Sequence, residues 1–124
     1  MGLKLKLRAA EKVYLNGALV ENGPSPCTLQ ILNRVPLLRE KDIILEKEAD
    51  TPCKQVYLGV QTLYLSPADE SAVVQLLSKL SIDILRAAPS TASHFESIFQ
   101  LIGERKYYSA LKVVKDLVGY EAKL

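Results

Sequence analysis

The first fifty residues alternate between apolar and polar positions with the period of a β-strand. In "LKLKLR", Leu3, Leu5 and Leu7 share one parity and three basic residues share the other, so a strand would place them on opposite faces. "KVYL" and "ALV" flank Asn16-Gly17, the dipeptide most typical of a tight hairpin. "TLQILN" alternates again, and Pro36 in "RVPLLRE" indicates an edge strand or a strand end. Residues 1–50 therefore predict a small antiparallel β-sheet of four to five strands.

From Thr51 onward the apolar spacing changes to that of helices, and it predicts a four-helix portion over residues 51–124. Thr51 and Pro52 are typical of an N-cap and a first helical position, although a buried strand is an alternative for this segment. Ser66 and Pro67 predict the start of the second helix. The third helix is expected to stop at Gly103 and the fourth before Gly119, and these two helices should form a hairpin. The fold class is α+β, with the two portions expected to form one compact unit.

Charge is unevenly distributed, although the whole chain carries a net charge of only +2. The first 41 residues hold seven basic residues against three acidic ones, and the following nine residues are acidic. A basic strand face is either a solvated surface, the reading that composition alone favours, or a surface that holds RNA phosphates. Tyr14 is the only aromatic residue of the β segment, so an aromatic stacking platform is not expected. The candidate RNA-binding residues are Lys4, Lys6, Arg8, Lys12, Arg34, Arg39 and Lys41.

Four tyrosines in the helical portion have two interpretations. Tyr57 and Tyr64 lie seven residues apart on the first helix, and Tyr107 and Tyr108 open the fourth. Packing in the core or at its rim is the favoured interpretation, since tyrosine is amphipathic and helical spacing needs no further cause. The alternative is a partner-binding face, because tyrosine is enriched at protein interfaces.

The sequence contains none of the common catalytic or phosphate-binding motifs. His94 is the only histidine, and Cys27 and Cys53 have neither metal-ligand spacing nor a disulfide pattern. We therefore predict no enzyme, no metal and no cofactor. No signal peptide or membrane span is recognisable, so a cytoplasmic protein without a membrane partner is expected.

Several stretches resemble, in order and spacing, the FlbT family of flagellin-synthesis regulators. They are "LKLKLRAAEKVYLNGALVENG", "LLREKDIILEKEADTPCKQVYLGVQTLYLSP" and "KYYSALKVVKDLVGYE". The resemblance implies a small bacterial protein that regulates flagellin expression after transcription. In its best-known form the family represses, by acting at the 5′ untranslated region of flagellin mRNA and promoting its decay, whereas some members are linked to activation. The resemblance also implies a functional link to the regulator FlaF.

The β segment is also similar in pattern to the RNA-binding regulator CsrA. "VPLLRE", residues 35–40, has the spacing of a late CsrA strand, and the analogy assigns RNA contacts to Arg8 and Arg39. Ala9 and Ala10 depart from the paired arginines and the glycine of that pattern. Two hypotheses follow: a regulator that binds flagellin mRNA through its basic β face, and an interaction module that binds flagellin, FlaF or an RNA-decay factor without touching RNA. Exposed strand edges add a homodimer hypothesis.

Overall fold

The structure is a computed structural model that describes residues 2–66 and 69–124. Its strands precede its helices, which confirms the α+β class. The chain divides into two compact units, residues 1–43 and residues 44–124.

The β unit contains five strands in two small antiparallel sheets, where the sequence predicted one. The strands are β1 Leu3–Leu7, β2 Lys12–Leu15, β3 Ala18–Glu21, β4 Cys27–Ile31 and β5 Leu37–Arg39. β1 pairs with β4, and the second sheet has the order β3-β2-β5. The β2–β3 hairpin of the second sheet thus lies, in the sequence, between the two strands of the first sheet.

The alternation in β1 buries its leucines as the pattern predicted. Leu5 and Leu7 are each 3% exposed and form a core with Val13 of β2. Leu3, at the open end of the strand, remains 56% exposed. The core is completed by partly buried side chains from the other four strands, namely Leu15, Val20, Cys27, Leu29 and Leu37. Burial of this face leaves the basic residues of β1 on the opposite face.

Local turn chemistry sets two further features of the β unit. Asn16 and Gly17 both have positive φ, 50° and 89°, as the tight β2–β3 hairpin requires. Pro36 directly precedes β5, an edge strand, which confirms the prediction made from proline. Its carbonyl accepts a hydrogen bond from the Asn16 backbone N–H at 2.8 Å.

The described part of the helical unit contains four α-helices, as predicted: α1 Pro52–Leu65, α2 Glu70–Ala87, α3 Ala92–Gly103 and α4 Tyr107–Glu121. α1 packs against α2 and α4, and α3 packs against α4 across a three-residue connection. Gly103 ends α3 as predicted, whereas α4 continues through Gly119 rather than stopping before it. The structure begins α2 at Glu70, and the predicted start at Pro67 lies outside the described residues. Ser66 instead follows α1, where its N–H bonds the Thr62 carbonyl.

The α1–α2 contact depends on the absence of a side chain at Gly59. A Cβ at this position would lie 2.7 Å from Cδ2 of Leu77, a side chain of α2 that is itself buried. Gly59 thereby permits a close helix approach that compensates for its low helix propensity. None of the helices in the described ranges combines the length and apolarity that a bilayer crossing requires.

Candidate nucleic-acid interface

A buried carboxylate organises the turn between β1 and β2. Glu11 is only 5% exposed, and its Oε1 accepts the Arg8 backbone N–H at 2.8 Å. Glu11 donates its own N–H to the Arg8 carbonyl at 3.2 Å, and Ala10 has a φ of 59° within this turn. The turn therefore folds the Glu11 side chain back under its own backbone.

Arg39 reaches the same carboxylate from β5. Its Nη2 donates to Glu11 Oε2 at 3.1 Å and to the Lys6 carbonyl at 2.6 Å. The Arg8 backbone hydrogen bond lowers the pKa of Glu11 despite the opposing effect of burial, and the Arg39 guanidinium lowers it further. Glu11 is therefore ionised at neutral pH, and Arg39 ties β5 to both β1 and the turn.

The structure thus brings Arg8 and Arg39, the pair singled out by the CsrA pattern, to one carboxylate. The two arginines differ in availability. The Arg8 side chain is 79% exposed, with only long contacts of 3.5 Å to Glu11 and 3.7 Å to Glu40. Arg39 is held by two hydrogen bonds. Its guanidinium is occupied within the protein, whereas Arg8 keeps donors directed to solvent.

The remaining candidate cations fall into a paired and an unpaired group. Lys12 lies 3.5 Å from Glu21 across the β2–β3 hairpin. Four of the candidate cations have no ion-pair partner among the described residues: Lys4, Lys6, Arg34 and Lys41. Lys4 and Lys6 lie opposite Gln30 and Thr28 of β4, so this exposed face combines positive charge with neutral hydrogen-bonding groups.

A cleft of about 250 Å³ lies at the Leu3 end of β1. Leu3, Ile31, Val35 and Leu37 supply apolar walls, and Asn33 and Arg34 supply polar groups. Only Arg34 was a candidate from the sequence. The signal for Ile31, Asn33 and Val35 was the run "ILNRVP", in which apolar residues surround a polar pair just before the proline that precedes β5.

The four tyrosines occupy different environments in the helical unit. Tyr57 is 7% exposed and belongs to the core. The Tyr107 hydroxyl donates to Glu70 Oε1 at 2.8 Å, and partial burial together with this bond raises the pKa of Tyr107. Tyr64 and Tyr108 form a ring pair with centroids 5.7 Å apart, and Tyr108 is 43% exposed. The tyrosines therefore do not share one surface.

The two cysteines and the histidine have different surroundings. Burial raises the pKa of the Cys53 thiol to about 12, with a further contribution from the Glu121 carboxylate. Cys27 bonds Asn22 Oδ1 at 3.2 Å, and His94 packs on Tyr120 with ring centroids 5.4 Å apart. Across the described ranges, no three histidine, cysteine or acidic side chains come together as a metal site would require.

These features define a small α+β protein with a cationic β unit. The family model of the flagellar protein FlbT matches residues 3–124, and the chain belongs to this family. It is 37% identical to "Probable flagellum biosynthesis repressor protein FlbT 1" of Bradyrhizobium diazoefficiens, over all of this chain and 85% of that protein.

Two further relatives come from Caulobacter. "Probable flagellum biosynthesis repressor protein FlbT" of Caulobacter sp. strain K31 is 35% identical to this chain, over 98% of this chain and 94% of that protein. "Flagellum biosynthesis repressor protein FlbT" of Caulobacter vibrioides strain ATCC 19089 is 33% identical over 98% of this chain and 87% of its own. No solved structure shows significant similarity to this chain.

Proposed function

We propose that this protein regulates flagellum biosynthesis as a non-enzymatic repressor that binds the 5′ untranslated region of flagellin mRNA in the cytoplasm. Binding there would repress translation or promote decay of the message. The family match and the repressor names of the relatives support the regulatory part. RNA contact rests on the charge of the β unit.

The observation that carries RNA contact is the pair Lys4 and Lys6 on the outer face of β1. Both are exposed and lack an acidic partner among the described residues. Their Cα atoms are about 7 Å apart, because a strand rises about 3.3 Å per residue. Residues 1–43 carry a net charge of +3 and residues 44–124 a net charge of −1. A polyanion would therefore be attracted to the β unit rather than to the helical unit.

The seven candidate cations then divide by role. We assign phosphate contacts to Lys4, Lys6 and the exposed Arg8, with Lys41 at the margin, whereas Arg34 lies in the cleft beside Asn33. Arg39 positions the turn through Glu11, and Lys12 is balanced by Glu21. Removing Arg39 should therefore weaken RNA binding through loss of structure, and removing the β1 lysines should weaken it with the fold intact.

The test is binding of a flagellin leader RNA to K4Q/K6Q, with K79Q/K123Q as the control. The control removes two exposed lysines of the helical unit. For single strands each phosphate contact contributes about fivefold in affinity at 0.1 M salt, so losing two should cost about 25-fold. The control should bind like wild type. Equal loss in both variants, or no loss in K4Q/K6Q with an unchanged circular dichroism spectrum, would refute the assignment.

A second candidate function is the interaction module that binds FlaF or flagellin. Its support is the exposed ring of Tyr108, which packs on Tyr64 and has Lys112 Nζ 5.0 Å from its centroid. Tyr108→Ala should then reduce capture of purified FlaF or flagellin, and Tyr14→Ala of the β unit serves as a comparison. Capture unaffected by Tyr108→Ala would exclude this surface as the binding site.

A further proposal is that two copies of the protein pair along β1. Among the described strands, β1 has a partner on one edge only. Sedimentation showing only monomer would exclude this pairing.

A further inference from the structure

The cleft at the end of the β unit has the features of a site for one planar heterocycle. Its volume of about 250 Å³ corresponds to about eight water molecules at 30 Å³ each. The walls come from the start of β1, the end of β4 and the segment leading into β5. Leu3 on one wall is 56% exposed, so apolar surface is available to an incoming group.

The rim of the cleft supplies the two kinds of polar group that recognise a base. The Asn33 amide can donate to and accept from a base edge. Arg34 has no acidic partner within the described ranges, so its guanidinium plane is free to stack, as arginine does on unpaired bases where aromatic residues are lacking. Tyr14, the sole aromatic residue of this unit, is absent from the lining.

Charge next to the cleft indicates which heterocycle it takes. Lys4 follows Leu3 directly and points to the opposite face of β1, where Lys6 lies beside it. A base seated on Leu3 would therefore meet the cation Arg34 in the cleft itself, and the chain attached to it would reach Lys4 and Lys6 by passing to the other face of β1. An aromatic group attached to a chain of negative charges matches this arrangement, and an uncharged aromatic ligand would leave the cations unused.

We propose that the cleft binds a single unpaired base of single-stranded RNA, between the Arg34 guanidinium and the aliphatic wall, with Asn33 at the base edge. This inference rests on the proposed function, since it adds a base-reading site to a phosphate-binding strand. Lys4 and Lys6 hold the backbone and the cleft holds the base, so affinity and base preference come from different residues.

The experiment compares two probes of equal charge, the hexanucleotide rA6 and a six-residue abasic ribose-phosphate chain. Binding to the full-length protein is followed by methyl NMR of Leu, Val and Ile residues. We expect rA6 to shift the Val35, Leu37 and Ile31 methyl signals and to bind at least about tenfold more tightly than the abasic chain. Arg34→Lys keeps the charge and removes the stacking plane, so it should reduce the preference for rA6 about tenfold while leaving abasic binding unchanged. Arg86→Lys, an exposed arginine of α2, should behave like wild type.

The outcomes separate this inference from the function on which it rests. Equal, salt-sensitive binding of rA6 and the abasic chain would overturn the base site and leave phosphate binding intact. Tight rA6 binding without shifts at Val35 and Leu37 would overturn the location. Failure of both probes and of the leader RNA to bind would overturn both proposals.

Discussion

The hydroxyl of Thr51 connects the beginning of α1 to the end of α4, and its removal should destabilise the helical unit. Thr51 Oγ1 accepts the Lys54 backbone N–H at 3.2 Å as an N-cap and donates to Glu121 Oε1 at 2.6 Å. The other carboxylate oxygen accepts the Cys53 N–H at 3.1 Å. Glu121 therefore also places a negative charge at the positive end of α1.

The cost of Thr51→Ala follows from these contacts. Loss of an N-cap costs about 1 kcal/mol, and loss of a hydrogen bond to a charged group costs about 1.5 kcal/mol at the lower end of its range. The free energy of unfolding should fall by about 2.5 kcal/mol. In a unit of this size that lowers the Tm by about 10–20 °C.

The assay is urea unfolding followed by circular dichroism at 222 nm, a wavelength at which the four helices dominate. Thr51→Ser keeps both the donor and the acceptor and should stay within about 0.5 kcal/mol of wild type. A double-mutant cycle with Glu121→Ala should give a coupling energy of about 1 kcal/mol, since the two residues are in contact. Additive effects, or a Thr51→Ala protein as stable as Thr51→Ser, would refute the assigned connection.

Three further predictions concern glycine packing, thiol reactivity and pH. Gly59→Ala should destabilise the helical unit by about 1–3 kcal/mol through overpacking. Gly119→Ala, whose added Cβ would meet nothing within 4 Å, should stabilise it by up to about 1 kcal/mol. Thermal unfolding measures both changes. Cys53, with its pKa raised to about 12, should react with iodoacetamide at pH 8 far more slowly than the half-buried Cys27, as read by peptide mass spectrometry, and equal rates in the folded protein would contradict its burial. The lowered pKa of Glu11 adds stability at pH values above the unfolded pKa of about 4.5, and this contribution is lost as the pH falls through the folded pKa. The Glu11→Gln variant should therefore lose less stability than wild type between pH 5 and pH 3.

Features set by neighbouring residues could be predicted from the sequence. The hairpin at Asn16-Gly17 could be predicted from the local preference of these residues for positive φ. The start of α1 could be predicted from the N-cap preference of Thr51 and the first-turn preference of Pro52. The division into two sheets was missed because β1 pairs with β4 across the intervening hairpin, a long-range choice that alternation does not encode. The same alternation of apolar and polar residues is compatible with one sheet or with two.

The roles of the basic residues depended on the same long-range contacts. Glu11 in "AAEKV" looks like a solvated acid, yet it is buried and accepts a hydrogen bond from Arg39, 28 residues away. The sequence therefore gave no sign that Arg39 is occupied while Lys4 and Lys6 remain unpaired. The tyrosines show the same limit, since Tyr57 and Tyr64 have one helical spacing but differ in burial.

The salt dependence of leader-RNA binding tests the central claim most directly. If Lys4, Lys6, Arg8 and Lys41 each contact a phosphate, log affinity should fall with log salt at a slope of about −2.8, or 0.7 per contact. Between 50 mM and 200 mM salt the affinity should then fall about 50-fold, and only about sevenfold in K4Q/K6Q. An affinity that does not change with salt, or a slope that is the same in wild type and K4Q/K6Q, would contradict RNA binding through the β unit.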